Sequence, residues 1–239
     1  MSTQESTIKL SRFDLLVLSV LILLVILVGG VALVGTLNTD NLQVAYMVQG
    51  GSNVADIWLA DLDSPENARQ ITDSEIGVDS FTVSPDGNSI VYADRHFETG
   101  AIELRRLDLR NNTTTTLTNC IETRSVCHAP VYSPTGEMIA YERRNVFQQD
   151  NTVARQERMW ILDMTTPTSE ATLPETYPLI PEPDILGHSA VWSLDGNSLA
   201  FYDNNNAGVV VYNFDAAARE DNTAVSFIVT GIGTNGALS

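Results

Sequence analysis

Apolar and polar residues alternate in a pattern that occurs three times along the chain, and each copy predicts a β-hairpin. A copy has a short apolar strand, a turn with Ser and Gly, and a second strand in which a small residue precedes an aromatic one. Asp-Gly between two apolar runs favours a hairpin, because Gly accepts the positive φ of a tight turn. The turn residues are Ser84, Pro85, Asp86 and Gly87, then Ser133, Pro134 and Gly136, then Ser193, Asp195 and Gly196.

The spacing of these turns indicates a repeat architecture. Their first Ser residues are 49 and 60 residues apart, at positions 84, 133 and 193. After each hairpin comes a third apolar strand with Asp or Asn at one fixed column, then a polar turn and a last edge strand. Both strand faces carry apolar residues, as expected when sheets stack face to face around an axis. The pattern therefore predicts an all-β fold, a β-propeller of four-stranded antiparallel blades.

The two ends of the repeat region differ from its middle. No Ser-Pro-Asp-Gly turn precedes the first copy, so we expect its blade to lack the innermost strand. The last residues, 236–239, stand where a fourth turn would open, which makes about three and a half blades, a partial ring. Propellers have about four to eight blades. We interpret residues 42–239 as a propeller that is incomplete at its C-terminus and part of a longer polypeptide.

An uncharged run of 23 residues precedes the repeats; Leu15 begins it and Leu37 ends it. As a helix this run is about 34 Å long, enough for a hydrocarbon core of about 30 Å. A cleaved signal peptide has a shorter apolar region and an Ala-x-Ala-like site, so we expect an uncleaved transmembrane helix at residues 15–37. Residues 1–14 would be the tail before it and residues 38–41 a short linker.

Positive residues beside the helix predict its orientation. Lys9 and Arg12 precede the helix, and the next cation after it is Arg69. The N-terminal tail is therefore expected in the cytoplasm, and the propeller outside it, anchored to the cell membrane by this single helix. The formal net charge of −17 argues against nucleic acid as a partner, because phosphates would be repelled.

The repeat motif resembles the Trp-Ser-Pro-Asp-Gly repeat of TolB-like β-propellers. The similar segments are the turn at Ser84–Gly87 with the strands that follow it, and the later copies before Ser133 and Ser193. Thr135 stands where that family usually has Asp, and Leu194 where it usually has Pro. The resemblance covers about residues 42–239 and implies an extracytoplasmic interaction platform.

Candidate chemistry is sparse along the sequence. Cys120 and Cys127 flank six residues, and outside the cytoplasm we expect them to form a disulfide. A zinc site with the adjoining His128 would need further ligands of suitable spacing, so no metal site and no cofactor is predicted. His96, His128 and His188 are expected on loops, the last two at one repeat position, and neither has a carboxylate partner by spacing.

Other motifs favour structure over catalysis. The segment at His188 and Ser189 lacks the final Gly of a Gly-x-Ser-x-Gly nucleophile elbow, and Asp and Asn pairs suit turns as well as calcium. No catalytic residue is predicted. Binding is expected at irregular insertions between 142 and 158 and between 165 and 183, with Phe147 and Tyr177 as exposed aromatics. His128 and His188 are the other candidate binding residues.

Two principal functions follow from these features. The first is a non-catalytic protein-binding scaffold with a protein partner. The alternative is the anchor and propeller of a dipeptidyl-peptidase-like serine hydrolase, whose catalytic domain would lie beyond residue 239. A third hypothesis is a small-ligand, lectin-like or sensory role that uses the axial opening of the propeller.

Overall fold

A computed structural model of the chain describes residues 42–50, 54–145, 157–165, 172–218 and 224–228. The chain divides into two compact units, Met1–Val44 with Ala60–Asn67, and Ala45–Leu59 with Ala68–Ser239. Within the first unit, the Leu62 N–H donates to the Leu42 carbonyl oxygen at 2.9 Å. The candidate site described below lies within the second unit.

Fifteen strands and one short helix make up the regular structure of the described residues. In chain order they are β1 (Gln43–Gln49), β2 (Ala55–Asp61), β3 (Ser64–Gln70), β4 (Val78–Val83), β5 (Ser89–Arg95), β6 (Ile102–Asp108), β7 (Thr113–Thr116), β8 (Ser125–Tyr132), β9 (Met138–Asn145), β10 (Arg158–Asp163), β11 (Thr176–Pro178), β12 (Gly187–Trp192), β13 (Ser198–Asp203), β14 (Gly208–Asn213), α1 (Phe214–Ala218) and β15 (Val225–Ile228). This content confirms the all-β prediction.

Strands β4 to β15 form three consecutive four-stranded antiparallel groups, here called blade A (β4–β7), blade B (β8–β11) and blade C (β12–β15). Blades A and B are linked by one parallel pair, Ile102 at the start of β6 with Val126 of β8. Strands β1, β2 and β3 form a three-stranded sheet. The first copy therefore has one strand fewer among the described residues, as its sequence predicts.

The three predicted turns connect the first two strands of each blade. In blade A, Ser84 Oγ donates to Asp86 Oδ1 at 2.6 Å and accepts the Ser89 N–H at 2.9 Å. The Gly87 N–H donates to the Ser84 carbonyl oxygen at 2.9 Å, and Gly87 has a φ of +69°. Hydrogen bonds from Ser84 and Asn88 lower the pKa of Asp86 to about 2. The Ser-x-Asp-Gly order is therefore a closed hydrogen-bonded unit.

The two departures from the motif leave this unit intact. In blade B, Thr135 replaces Asp, and its hydroxyl lies 3.2 Å from Ser133 Oγ and accepts the Glu137 N–H at 3.3 Å. In blade C, Leu194 replaces Pro, and its side chain is 99% exposed, so no packing contact depends on it. The Ser and Gly residues make the hydrogen bonds and the backbone conformation that define the turn. The turn therefore forms with Thr135 or Leu194 at the other positions.

The hydrophobic core consists of three clusters, and each combines residues of two successive sheets. Ile57 of β2 packs with Ile90 of β5 in the first cluster. Val91 of blade A packs with Ile139 of blade B in the second, and Ile161 of blade B with Phe201 of blade C in the third. The sheets are therefore stacked face to face, as the two-sided apolar pattern predicts.

The structure corrects some of the sequence predictions, and another prediction concerns residues that the structure does not describe. Residues 165–183, expected to be an irregular insertion, contain β11, because blade B needs a fourth strand and pairing with β10 overrides weak local propensity. His128 and His188, expected on loops, lie in β8 and β12. The predicted transmembrane helix at 15–37 lies outside the described residues, and none of the described helices is long and apolar enough to span a bilayer.

Gly187 of β12 lies tightly between Phe201 of its own blade C and Met159 of blade B. A Cβ at this position would lie 2.5 Å from Phe201 Cδ2 and 2.8 Å from Met159 Cγ. Both neighbours belong to the buried third cluster and cannot swing into solvent. By contrast, a Cβ on Gly87 would meet no atom within 4 Å, so only its positive φ disfavours a side chain there.

Replacing Gly187 with Ala is expected to destabilise the protein by about 2–4 kcal/mol, because the added methyl overpacks the contact between blades. Gly87→Ala is the matched control and should cost about 1 kcal/mol through backbone strain alone. Urea unfolding of both variants and the parent measures the difference. If both substitutions lower the free energy of unfolding by the same amount, the contact at Gly187 is loose enough to accept a methyl group.

Candidate functional site

The first strand of each blade contains a bulge at the same repeat position. Register shifts occur between Val78 and Phe81 in β4, His128 and Val131 in β8, and His188 and Val191 in β12. A bulge re-aims the side chains beside it relative to the rest of the strand. Asp79, His128 and His188 occupy the equivalent position, each five residues before the first Ser of its turn at 84, 133 or 193.

Backbone N–H groups at the bulges donate to the preceding blade. Ala129 and Ser189 have φ values of 48° and 57°, a conformation uncommon for residues other than Gly. The Ala129 N–H donates to Ser80 Oγ at 2.8 Å, and the Ser189 N–H to Glu142 Oε1 at 2.9 Å. These bonds compensate the strained backbone and hold the first strands of successive blades together.

Four ionisable side chains meet at the bulge of blade B, and we call them the His–carboxylate cluster: Asp79 of β4, His128 of β8, Glu142 of β9, and Glu157, which directly precedes β10. His128 Nδ1 lies 3.4 Å from Asp79 Oδ2. His128 Nε2 lies 3.4 Å from Glu142 Oε2 and 3.6 Å from Glu157 Oε1. The His128 side chain is 20% exposed and the Glu142 side chain 8%, so the cluster is largely shielded from water.

Two arginines contact the carboxylates of the cluster. Arg95 forms an ion pair with Asp79, and Arg144 Nε donates to Glu157 Oε1 at 3.0 Å. With a neutral His128, three carboxylates face two guanidinium groups, which leaves one negative charge uncompensated. Because unpaired charge is costly in a shielded place, a proton on His128 or another bound cation would stabilise the cluster.

The pKa values of the cluster follow from this crowding. Burial by itself lowers the pKa of His128, but the Asp79 and Glu157 carboxylates and the charge of Glu142 outweigh it and raise the pKa to about 9. Burial raises the pKa of Glu142, against the opposing effects of the Ser189 N–H and His128. The His128 ring lowers the pKa of Asp79, while burial opposes that shift.

Three members of the cluster form a set that could hold a metal ion. One ligand atom each of His128, Glu142 and Glu157 can be chosen such that all lie within 4.8 Å of one another. The cysteines offer no alternative zinc ligand, because Cys120 and Cys127 are joined in a disulfide and both are buried. Among the described residues, the side chains that could bind a metal ion together are therefore those around His128.

His188, at the same position in blade C, has different partners. Its Nδ1 lies 2.8 Å from Ser189 Oγ and its Nε2 3.2 Å from Asn204 Oδ1. The ring also packs against Tyr202, with ring centroids 5.3 Å apart. The structure thus gives the two histidines, which the sequence predicts to be equivalent, different partners: carboxylates around His128, and a hydroxyl and an amide beside His188.

The predicted disulfide is present, and it closes the connection from blade A to blade B. The Cys120 N–H donates to Glu103 Oε1 at 2.6 Å, and Thr118 Oγ1 donates to the same oxygen at 2.9 Å. Burial raises the pKa of Glu103 against these hydrogen bonds. The disulfide therefore lies next to a second buried carboxylate, that of Glu103, which accepts hydrogen bonds from the segment that connects blades A and B.

Tyr177, in β11 at the edge of blade B, is 39% exposed. Phe147 lies outside the described residues. The turn residues at 84–87, 133–136 and 193–196 are occupied by their own hydrogen bonds.

Sequence reasoning missed the carboxylates of the cluster. Glu142 stands opposite His128 in the β8–β9 hairpin, and hairpin register alone could have suggested this pair. Asp79 belongs to blade A, and Glu157 directly precedes β10 of blade B. Stacking of the blades brings Asp79 to the His128 ring and pairing of β10 with β9 brings Glu157 there, so no local spacing indicates either carboxylate.

Comparison with known proteins identifies the type of fold. No protein-family model matches the sequence, and no curated protein sequence is significantly similar to it. Among solved structures, a TolB-type protein from Agrobacterium tumefaciens is similar at 16% identity and a TM-score of 0.56, over 79% of this chain and 61% of that one. TolB from Acinetobacter baumannii is similar at 18% identity and a TM-score of 0.53, over 78% of this chain and 40% of that one.

A structure of prolyl endopeptidases is also similar, at 14% identity and a TM-score of 0.51, over 81% of this chain and 29% of that one. Identities this low establish the fold and nothing more about activity. This chain has a TolB-like β-propeller fold. It spans 61% and 40% of the length of the two TolB structures.

Removing the disulfide by the double substitution Cys120→Ala and Cys127→Ala is expected to lower the free energy of unfolding by about 2–3 kcal/mol, because an eight-residue loop is then open in the unfolded chain. Thermal and urea unfolding of oxidised parent, reduced parent and double variant measure this effect. The reduced parent should match the double variant. A variant as stable as the oxidised parent would exclude a stabilising bridge.

The raised pKa of His128 predicts a pH-dependent stability. The unfolded-state pKa is 6.5 and the folded-state pKa about 9, so the stabilisation is complete below pH 6.5 and is lost as the pH rises through 9. The loss should be on the order of 2–3 kcal/mol.

Urea unfolding at pH 6 and pH 9.5, with EDTA to exclude metal, compares the parent with His128→Gln. The parent's advantage over this variant should shrink at pH 9.5. His188→Gln removes the ring that contacts Ser189 and Asn204, and it is the control for loss of an imidazole at this repeat position. An advantage of the same size at both pH values would mean that His128 is not held protonated by its neighbours.

Proposed function

We propose that the protein is a membrane-anchored, extracytoplasmic β-propeller that acts as a non-catalytic protein-binding scaffold. The observation that carries this proposal is the structural likeness to two TolB structures over more than three quarters of the chain. The resemblance of the repeat motif to TolB-like propellers implies an interaction platform. The chain spans only part of those structures, so the proposal also covers the case in which this propeller is part of a longer protein.

Two features support a location outside the cytoplasm. The uncharged run at 15–37 is long enough for a membrane span, and the cations Lys9 and Arg12 precede it. The Cys120–Cys127 disulfide is of a kind that persists in oxidising compartments. Both features fit a propeller held near the outer surface of the membrane by a short linker.

The surface offers rigid, exposed apolar groups for a protein partner. Tyr177 is fixed on β11 and is 39% exposed, and Leu194 is fixed in a hydrogen-bonded turn and is 99% exposed. Apolar side chains held on rigid elements lose little entropy on binding, which favours affinity for a protein surface. Neither side chain is needed for the core, so both are free to be contact residues.

Ser189 and His188 are the side chains most similar to a catalytic pair within the described residues. The hydroxyl of Ser189 lies 2.8 Å from His188 Nδ1, but the opposite ring nitrogen faces the neutral Asn204 amide. A nucleophilic serine needs a base whose developing positive charge is compensated, usually by a carboxylate. This arrangement favours a structural role, so the proposal treats the propeller as non-catalytic.

The alternative is that the propeller belongs to a dipeptidyl-peptidase-like serine hydrolase. The likeness to the propeller-bearing prolyl endopeptidases supports it, and this chain spans 29% of that structure. The nucleophile would then lie in a further domain, and the propeller would restrict access of substrates to it.

A photo-crosslinking amino acid at Tyr177 or at Leu194, introduced into the membrane-bound protein in cells, should give a discrete adduct with a partner protein. The same residue at Asn111, which lies in an exposed polar turn of blade A, is the matched control and should give none. Gel mobility and mass spectrometry of the adducts measure the outcome.

Hydrolysis of a proline-containing chromogenic peptide separates the two functions. The full-length protein should not hydrolyse this peptide or react with a serine-directed fluorophosphonate. Hydrolysis that survives Ser189→Ala, together with labelling by the fluorophosphonate, would replace the scaffold by the hydrolase. Equal labelling of partners from Tyr177, Leu194 and Asn111 would remove the support for a defined binding surface.

A further inference from the structure

We propose that His128, Glu142 and Glu157 form a binding site for one divalent transition-metal ion, for which zinc has the best-matched chemistry. The site lies where blades A, B and C meet at the bulges of their first strands, and it is independent of the scaffold function. Its ligands are an imidazole nitrogen and two carboxylate oxygens, donors that zinc binds in proteins.

The distances in the cluster fit a bridging ion better than direct hydrogen bonds. His128 Nε2 lies 3.4 Å from Glu142 Oε2 and 3.6 Å from Glu157 Oε1, longer than the usual range for hydrogen bonds. A tetrahedral ion with bonds of about 2.1 Å separates its ligand atoms by about 3.4 Å. The His128 nitrogen is therefore spaced from each carboxylate oxygen as two ligands of one ion are, and the three donor atoms all lie within 4.8 Å of one another.

The Nε2 atom of His128 supplies an independent reason. This atom is buried, and it has no hydrogen-bond partner among the described residues. A buried polar nitrogen without a partner carries a cost of about 1–3 kcal/mol. Because Nε2 faces the two carboxylates, an ion between them would satisfy it.

The surroundings of the three ligands resemble an outer shell that fixes metal-binding side chains. His128 Nδ1 lies 3.4 Å from Asp79 Oδ2, so a carboxylate faces the ring nitrogen that would not bind the metal. Glu142 accepts the Ser189 N–H through Oε1, which leaves Oε2 for the ion. Arg144 orients Glu157 through a hydrogen bond of 3.0 Å.

The number and type of ligands decide between ions. Three protein ligands leave one position of a tetrahedral zinc ion for water or for a group of a bound partner. Calcium takes six to eight oxygen ligands, and magnesium retains several waters in octahedral geometry, so an imidazole with two carboxylates disfavours both.

The test uses the full 239-residue chain, purified in detergent without a polyhistidine tag and stripped with EDTA. Titration calorimetry with ZnCl₂ and elemental analysis after dialysis should give one zinc per chain. His128→Gln and Glu142→Gln should each weaken zinc binding about 100-fold or more, since loss of a ligand exceeds the usual effect of an outer-shell change. CaCl₂ at the same concentration should not bind at this site.

The matched control is His188→Gln, which removes the imidazole at the equivalent position of blade C and should keep the affinity within about threefold of the parent. Circular dichroism verifies the fold of each variant, and Glu157→Gln replaces any variant that does not fold. The proposal is wrong if the parent takes up no stoichiometric zinc, if His128→Gln binds zinc like the parent, or if His188→Gln loses it equally.

Discussion

Face-to-face burial of successive sheets is the interaction on which the rest of this structure depends. The strands carry apolar residues on both faces, so a single sheet cannot remove its apolar surface from water. Each core cluster accordingly joins two sheets, as Val91 with Ile139 and Ile161 with Phe201 show. The close approach of the blades is visible at Gly187 of blade C, where a Cβ would lie 2.8 Å from Met159 Cγ of blade B.

The same stacking gives the bulges their role. A bulge in an isolated hairpin leaves a backbone N–H without a ladder partner, but here these groups donate to the neighbouring blade, as Ser189 does to Glu142. In blade B the residue at the bulge is His128, whose ring faces Asp79 of the first strand of blade A. One repeat position therefore carries a carboxylate and two imidazoles with different partners, at Asp79, His128 and His188. The residue that follows has a positive φ in blades B and C, at Ala129 and Ser189.

Much of the architecture could be predicted because its signals are local. The Ser-Asp-Gly turn is closed by hydrogen bonds among residues within five positions, so Ser84, Asp86 and Gly87 indicate it without any knowledge of the fold. The pairing of Cys120 with Cys127 likewise joins neighbours in the chain. The prediction was less successful for β11, where the blade's need for an edge partner outweighs a sequence rich in Pro, Thr and Glu.

The sequence by itself determined the strands, their grouping in fours and the turns, because hydrophobic period and turn chemistry act over a few residues. Only the tertiary structure decided which polar side chains meet. Asp79 and Glu157 are 78 positions apart (157 − 79). Blade packing brings Asp79 to His128, and the pairing of β10 with β9 brings Glu157 there. Charge compensation in a shielded place is a property of that assembly, and it makes His128 different from His188.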